Sequence, residues 1–202
     1  MLFIEDKKIK SENKLVGFYL SYPVIENKSS FISKINDIIY KDIENFKELV
    51  TGTLNKPIIK SFDYKINALS EYKVNLNKNQ IISISIDFSQ LIGLYDITYV
   101  NSYNYDIDLN REIKLKDLFK KDEDYIDLIN YFILKDIDEY LYDRFKGICD
   151  DNTFYITKEY LVLCFSSYEL DKNYSVALEF KIPIYEIKNY LSDYMINNIL
   201  EW

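Results

Sequence analysis

The chain has 202 residues, 48% of them hydrophobic and 29% charged, which is globular material for one domain or two small ones. With 25 basic against 33 acidic residues the formal net charge is −8, and arginine occurs only at Arg111 and Arg144, so binding to a phosphate backbone is disfavoured. Histidine is absent, which takes the usual central group away from serine and cysteine triads, His-ligated zinc and imidazole acid–base catalysis.

The first residues, Met1-Leu2-Phe3-Ile4-Glu5-Asp6-Lys7, have neither a basic start nor an apolar stretch of signal-peptide type, so the chain as written is expected in the cytoplasm unless a leader was removed. Val16 to Tyr22 carries apolar residues at even positions and reads as a strand that Pro23 stops. A helix follows, capped by Ser29 or Ser30, with Phe31, Ile35, Ile38, Ile39, Phe46 and Leu49 at helical spacing and Gly52 closing it. Phe62, Tyr64, Ile66 and Ala68, then Tyr72, Val74 and Leu76, alternate with polar residues, and Asn77-Lys78-Asn79-Gln80 is a hairpin turn. Ile82, Ile84, Ile86 and Phe88 alternate with Ser83, Ser85 and Asp87, predicting one buried and one wet face. After a connection at Gly93 the pattern resumes from Ile97 to Leu109.

Asp122, Glu123 and Asp124 crowd the start of a second long helix whose stripe is Ile126, Ile129, Ile133, Ile137, Leu141 and Phe145, with Gly147 as its C-cap. Strands are predicted at 153–157, at 160–167 and through Val176, Leu178, Phe180 and Ile182. Pro183 then opens a terminal helix with Ile184, Ile187, Leu191, Met195 and Ile199 on one side. The expected class is α+β: an antiparallel β-meander packed against two long amphipathic helices, plus a short C-terminal helix. The expected division is a small strand–helix module at 1–56 and a larger α+β domain at 57–202, packed as one unit. Sharp alternation and the absence of a Gly-rich strand–helix turn argue against a doubly wound nucleotide-binding fold. No stretch approaches the ~18 apolar residues of a membrane span.

Carboxylates are the only abundant catalytic-type groups. Asp136, Glu139 and Asp143 would share a helical face, with Asp138 beside them and Asp150-Asp151 following, but opposite the isoleucine stripe they read as a solvated surface. Asp106 and Asp108 read as charges on the wet face of a strand. Cys164 lies in the apolar run Leu161 to Phe165 and Cys149 in a turn, and whether they pair is left open. The 20 tyrosines either close the edges of the core or anchor a binding surface, with Tyr95/Tyr99, Tyr103/Tyr105 and Tyr168/Tyr174 as the clusters to consider.

Ser83-Ile84-Ser85-Ile86-Asp87-Phe88, Tyr103-Asn104-Tyr105-Asp106 and Glu112-Ile113-Lys114-Leu115-Lys116-Asp117-Leu118-Phe119 resemble a bacterial extracytoplasmic domain of largely unknown function. So do Phe154-Tyr155-Ile156-Thr157, Leu161 to Phe165, Tyr168-Glu169-Leu170 and Phe180-Lys181-Ile182-Pro183. That domain forms the lysozyme-sensing part of the anti-sigma-V factor and recurs beside the catalytic domain of a peptidoglycan deacetylase. The strand with Tyr22-Pro23 and the helix bearing Asn36 resemble the smaller module that precedes it. Where members carry a Gly-Gly-Ala-His-Gly turn, this chain has Ile92-Gly93-Leu94-Tyr95-Asp96.

The resemblance implies a non-catalytic recognition module of the cell envelope, and the lack of histidine, of a metal cluster and of a nucleophile motif predicts no enzymatic activity, no cofactor and no metal. Its partner would be a basic protein such as a lysozyme-type enzyme, or peptidoglycan, bound through sheet-end loops. The candidate residues are Gly93, Leu94, Tyr95, Asp96, Tyr99, Tyr168 and Tyr174. The competing expectations are a carboxylate-dependent hydrolase, which needs two carboxylates ~5–10 Å apart in one cleft, and a cytoplasmic structural or interaction protein.

Overall fold

Asn13 turns the chain at its first corner: its Oδ1 accepts the N–H groups of Leu15 at 2.8 Å and Val16 at 2.9 Å. Two strands meet there, β1 (Phe3–Glu12) and β2 (Val16–Glu26), paired antiparallel from Phe3 opposite Glu26 to Glu12 opposite Gly17. β1 is absent from the sequence expectations because its charges hide the alternation, and it stands at a sheet edge, where charge is common. β2 does not stop at Pro23. Its pairing with the next strand covers only Val16–Leu20, so the missing proline N–H breaks no rung on that side.

The computed structural model describes residues 1–55, 65–175 and 177–200. It is an α+β fold with a six-stranded sheet ordered β1-β2-β3-β4-β5-β6 and a three-stranded sheet ordered β7-β8-β9. β3 (Ile66–Lys78), β4 (Ile81–Ile92), β5 (Tyr95–Asp106) and the short β6 (Arg111–Glu112) form the expected meander, while β2 and β3 pair in parallel. The expected Asn77 to Gln80 turn is a two-residue corner in which Asn79 and Gln80 both have positive φ, 50° and 59°, the backbone of a type I′ hairpin. The expected strand start at Phe62 and Tyr64, Val176 and the 56/57 boundary lie outside the described residues.

By contacts the chain divides into two compact units that follow no single cut. One comprises Leu2–Lys73 and Ile86–Tyr99; the other comprises Val74–Ser85 and the chain from Val100 onward.

In the first unit, helix α1 (Ser30–Leu54) starts where the Ser29 side chain accepts the Phe31 N–H. Its buried stripe is Ile32, Ile35, Ile39, Ile43, Phe46 and Val50, while Ile38 and Leu49 face solvent. Each buried isoleucine contributes roughly 1.5–3 kcal/mol. Gly52 does not end the helix; Asn55 does, its N–H reaching the Gly52 and Thr53 carbonyls. Phe46 meets Phe88 of β4 at a centroid distance of 5.0 Å. Beyond the β2–β3 rungs, the Asn36 side chain donates to the Ile25 carbonyl and accepts the Ile25 N–H, both at 2.9 Å, as a strand neighbour would.

The second unit holds the smaller sheet: β7 (Phe154–Ile156), β8 (Tyr160–Phe165) and β9 (Leu178–Pro183). Ile156, Leu161, Leu163, Phe180 and Ile182 join the main cluster with Ile129 and Ile133, whereas Tyr155, Val162 and Cys164 pack with Val100 of β5. Both faces are therefore covered, which explains the uninterrupted apolar run of β8. Cover of this kind also overturns the wet face expected for β4, since Ser83 and Ser85 are buried. Ser83 donates to Asn104 Oδ1 at 2.6 Å and accepts the Ile156 N–H at 2.9 Å, and Asn104 Nδ2 donates to the Phe154 carbonyl at 2.7 Å. Two side chains thus satisfy outward backbone groups of β7.

The second long helix is broken. α2 (Tyr125–Asp136) ends at an extended Ile137, and Asp138 caps a new short helix, α3 (Glu139–Tyr142), by accepting the Tyr140 N–H. An aspartate that caps a helix also interrupts one. Gly147 is not a helix cap, yet its φ of +91° is the left-handed conformation expected of it. The terminal helix is likewise broken into α4 (Ile184–Ile187), a 3₁₀ turn, an extended Leu191 and a π-helical segment Met195–Leu200. The five residues of its expected stripe are all buried even so. Asp106 is buried, not wet, and accepts from the Tyr194 hydroxyl at 2.7 Å and the Leu109 N–H at 2.9 Å.

Candidate functional site

The connection singled out in the sequence is a β-hairpin tip in the first unit. Gly93, with φ +61°, and Leu94 join β4 to β5. Leu94 is 100% exposed and Tyr95 71% exposed, while Ser89 donates to Asp96 at 2.5 Å across the two strands. Tyr99 has a different environment. Its ring stacks on Phe88 at 4.8 Å and meets Phe46 edge-on at 6.0 Å, and burial, with the charge of Asp42, pushes its phenol well above the usual range. Tyr99 anchors the hairpin to the core below the tip.

Tyr168 and Tyr174 belong to the other unit, on the loop after β8. The Tyr168 N–H donates to the Tyr174 carbonyl at 2.8 Å, and Tyr168 holds a φ of 66°, an uncommon conformation for a bulky residue. Asp171 fastens this loop. It accepts from Arg144 at 2.7 Å, from the Tyr140 hydroxyl at 3.2 Å and from the Asn173 N–H at 2.8 Å, and these bonds, the backbone one first, hold its carboxyl below the usual range. The two expected loops thus belong to different units.

The carboxylates expected on one helical face are separated by the break at Ile137 and Asp138. Asp136 instead lines a cleft of about 200 Å³ with Glu186, and Lys135 and Lys181 stand among them. Among the described residues no cluster of three or more potential metal ligands occurs, and no helix is long and apolar enough to cross a membrane. Cys149 and Cys164 are both free, Cys149 exposed and Cys164 buried.

A larger cleft, about 460 Å³, lies in the first unit against β1, β2 and β3, lined by Lys8, Lys10, Tyr19, Ser21, Leu69 and Glu71 among others. Sequence reasoning missed it because β1 was not read as a strand. Asn13, with a turn-forming side chain just before the apolar run, was the available signal.

Residues 9–93 match the family model described as deacetylase PdaC, and residues 116–185 match that of a protein of unknown function, DUF3298. Among curated proteins, the peptidoglycan-N-acetylmuramic acid deacetylase PdaC of Bacillus subtilis (strain 168) is 25% identical over 183 residues, covering 85% of this chain and 38% of that protein. The chain therefore spans well under half the length of that relative. Among solved structures, a DUF3298 family member from Bacteroides fragilis aligns over 98% of this chain and 96% of its own, with a TM-score of 0.64 and 18% identity. A DUF3298 family protein from Pseudomonas aeruginosa aligns over 96% and 95%, with a TM-score of 0.58 and 11% identity. The chain thus pairs a PdaC-like domain with a DUF3298-like domain, on the fold that those solved structures share.

Proposed function

We propose that this chain is a non-catalytic recognition module of the cell envelope that binds a basic protein of lysozyme type through the β4–β5 hairpin tip. The observation that carries the reading is the wholly exposed Leu94 beside the largely exposed Tyr95, held on a short turn by the Tyr99 anchor. A large apolar side chain presented on a rigid support binds with little ordering cost, and tyrosine is a frequent interface anchor. The net charge of −8 favours a basic partner. Likeness to a peptidoglycan deacetylase supports the cell-wall setting. Peptidoglycan itself is the second ligand to test.

Calorimetric titration of the full chain with lysozyme and with soluble peptidoglycan fragments tests this. Leu94→Asp combined with Tyr95→Ala should weaken the binding seen by about tenfold or more, as for loss of an interface hot spot, with the melting temperature unchanged. Binding that ignores both substitutions removes the tip from the reading. Failure of the unaltered chain to bind either ligand removes the function.

A further inference from the structure

The sheet-face cleft of the first unit has an order that strand register makes explicit. Lys10 of β1 lies opposite Tyr19 of β2, which pairs with Leu69 of β3; Lys8 lies opposite Ser21, and Glu71 stands two residues beyond Leu69. One face therefore carries the row Lys10, Tyr19, Leu69 and, beside it, the row Lys8, Ser21, Glu71. The hydroxyls of the middle strand are engaged: Tyr19 donates to Glu12 at 2.8 Å and Ser21 to Asp6 at 2.7 Å. Lys8 is ion-paired with Asp6 at 3.0 Å. Glu12 is also taken by Lys65. Lys10 is different: its ammonium lies 5.7 Å from the Tyr19 ring centroid and, among the described residues, no carboxylate stands within ion-pair distance of it, Glu12 acting on it only through longer-range charge attraction. Nor does Glu71 have a hydrogen bond or ion pair among the described residues.

Among the described residues, a cation and an anion without a close ion pair thus stand on opposite flanks of an aromatic and aliphatic floor. Two strand spacings across and two residues along separate their backbones by roughly 12 Å. A chain of about three residues, at ~3.3–3.6 Å each, spans that distance. The volume, about 460 Å³, suits a ligand of this size. The geometry points to a binding site for a short peptide with free ends, its ammonium at Glu71, its carboxylate at Lys10 and its small side chains on Tyr19 and Leu69. A neutral oligosaccharide would leave both charges unused. This site is separate from the hairpin tip, and either can fail while the other holds.

The test is amide-resolved NMR titration of the full chain with trialanine, N-acetyl-trialanine, trialanine amide and an N-acetylglucosamine tetramer. Trialanine should give saturable shifts at Lys10, Tyr19, Leu69 and Glu71, and blocking either end should weaken binding by about tenfold, the order of a charge-assisted hydrogen bond. Glu71→Gln should abolish the preference over the acetylated peptide alone, and Lys10→Met the preference over the amide alone. No saturable shift, equal binding of the blocked peptides, or shifts with the tetramer only would each overturn the proposal. Leu94→Asp should leave trialanine binding unchanged. Should a cleft variant not fold, the discrimination among peptides by the unaltered chain decides.

Discussion

Ser83 holds two partners in a site from which water is excluded, so Ser83→Ala strands the Ile156 N–H and removes a donor to Asn104. Leaving a buried backbone donor unmet costs about 1–3 kcal/mol, and denaturant unfolding should show a loss of that size. Phenols set the alkaline limit. Burial first, then the hydrogen bond to Asp150, pushes Tyr125 up from 10.0 to about 12, and Tyr99 and Tyr194 are also pushed well above their ordinary value. A raised folded value means that the unfolded chain loses its proton first. Stability is therefore intact below about pH 10 and falls as the pH rises toward 12, and Tyr125→Phe should flatten part of that fall in melting temperature. Tyr99 shows what a residue type leaves unsaid: alternation placed it on a strand near the tip, but only the partner rings Phe88 and Phe46 make it an anchor.

Elements with one dry and one wet face are legible from their period alone. α1, over most of its stripe, and the hairpin after Lys78 follow the expected pattern, whereas β5 departs from it, since Asn104 and Asp106 of its expected wet face are buried beside Tyr103 and Tyr105. β1 escaped notice because an edge strand buries little and tolerates charge on both faces. β4 misled in the opposite sense, since covering both faces turns Ser83 and Ser85 from wet positions into buried ones. The break between α2 and α3 has no proline or glycine to announce it; a capping aspartate makes it. Asp138→Ala should therefore destabilise the protein by about 0.5–2 kcal/mol, as loss of an N-cap does. Circular dichroism recorded alongside should show whether helix continues through Ile137.

For the whole molecule, the acidic balance bears on how the proposed basic partner would be met. Association with a basic protein should slow by about tenfold or more between low salt and ~0.5 M, where the Debye length falls below about 5 Å. Stopped-flow mixing with lysozyme measures this, and a rate indifferent to salt would mean that steering plays no part. The hairpin tip could be read from the chain because a turn glycine and its exposed neighbours are consecutive. The cleft could not, because Lys10, Tyr19 and Glu71 meet through an antiparallel pairing followed by a parallel one, and no sequence period reports a parallel neighbour.

Asn36, Ser83 and Asn104 each offer backbone groups the bonds that another strand would have made. Such side chains act as keys cut for one address. If β4 slipped by one residue against its neighbours, Ile84 would face β7 where the Ser83 hydroxyl belongs, and the Ile156 N–H would be buried with nothing to receive it. A methyl group displaced by a slip can often find another apolar site, but a hydroxyl matched to one N–H cannot. Alternation narrows the choice of face, and these three polar residues then select a single alignment along it.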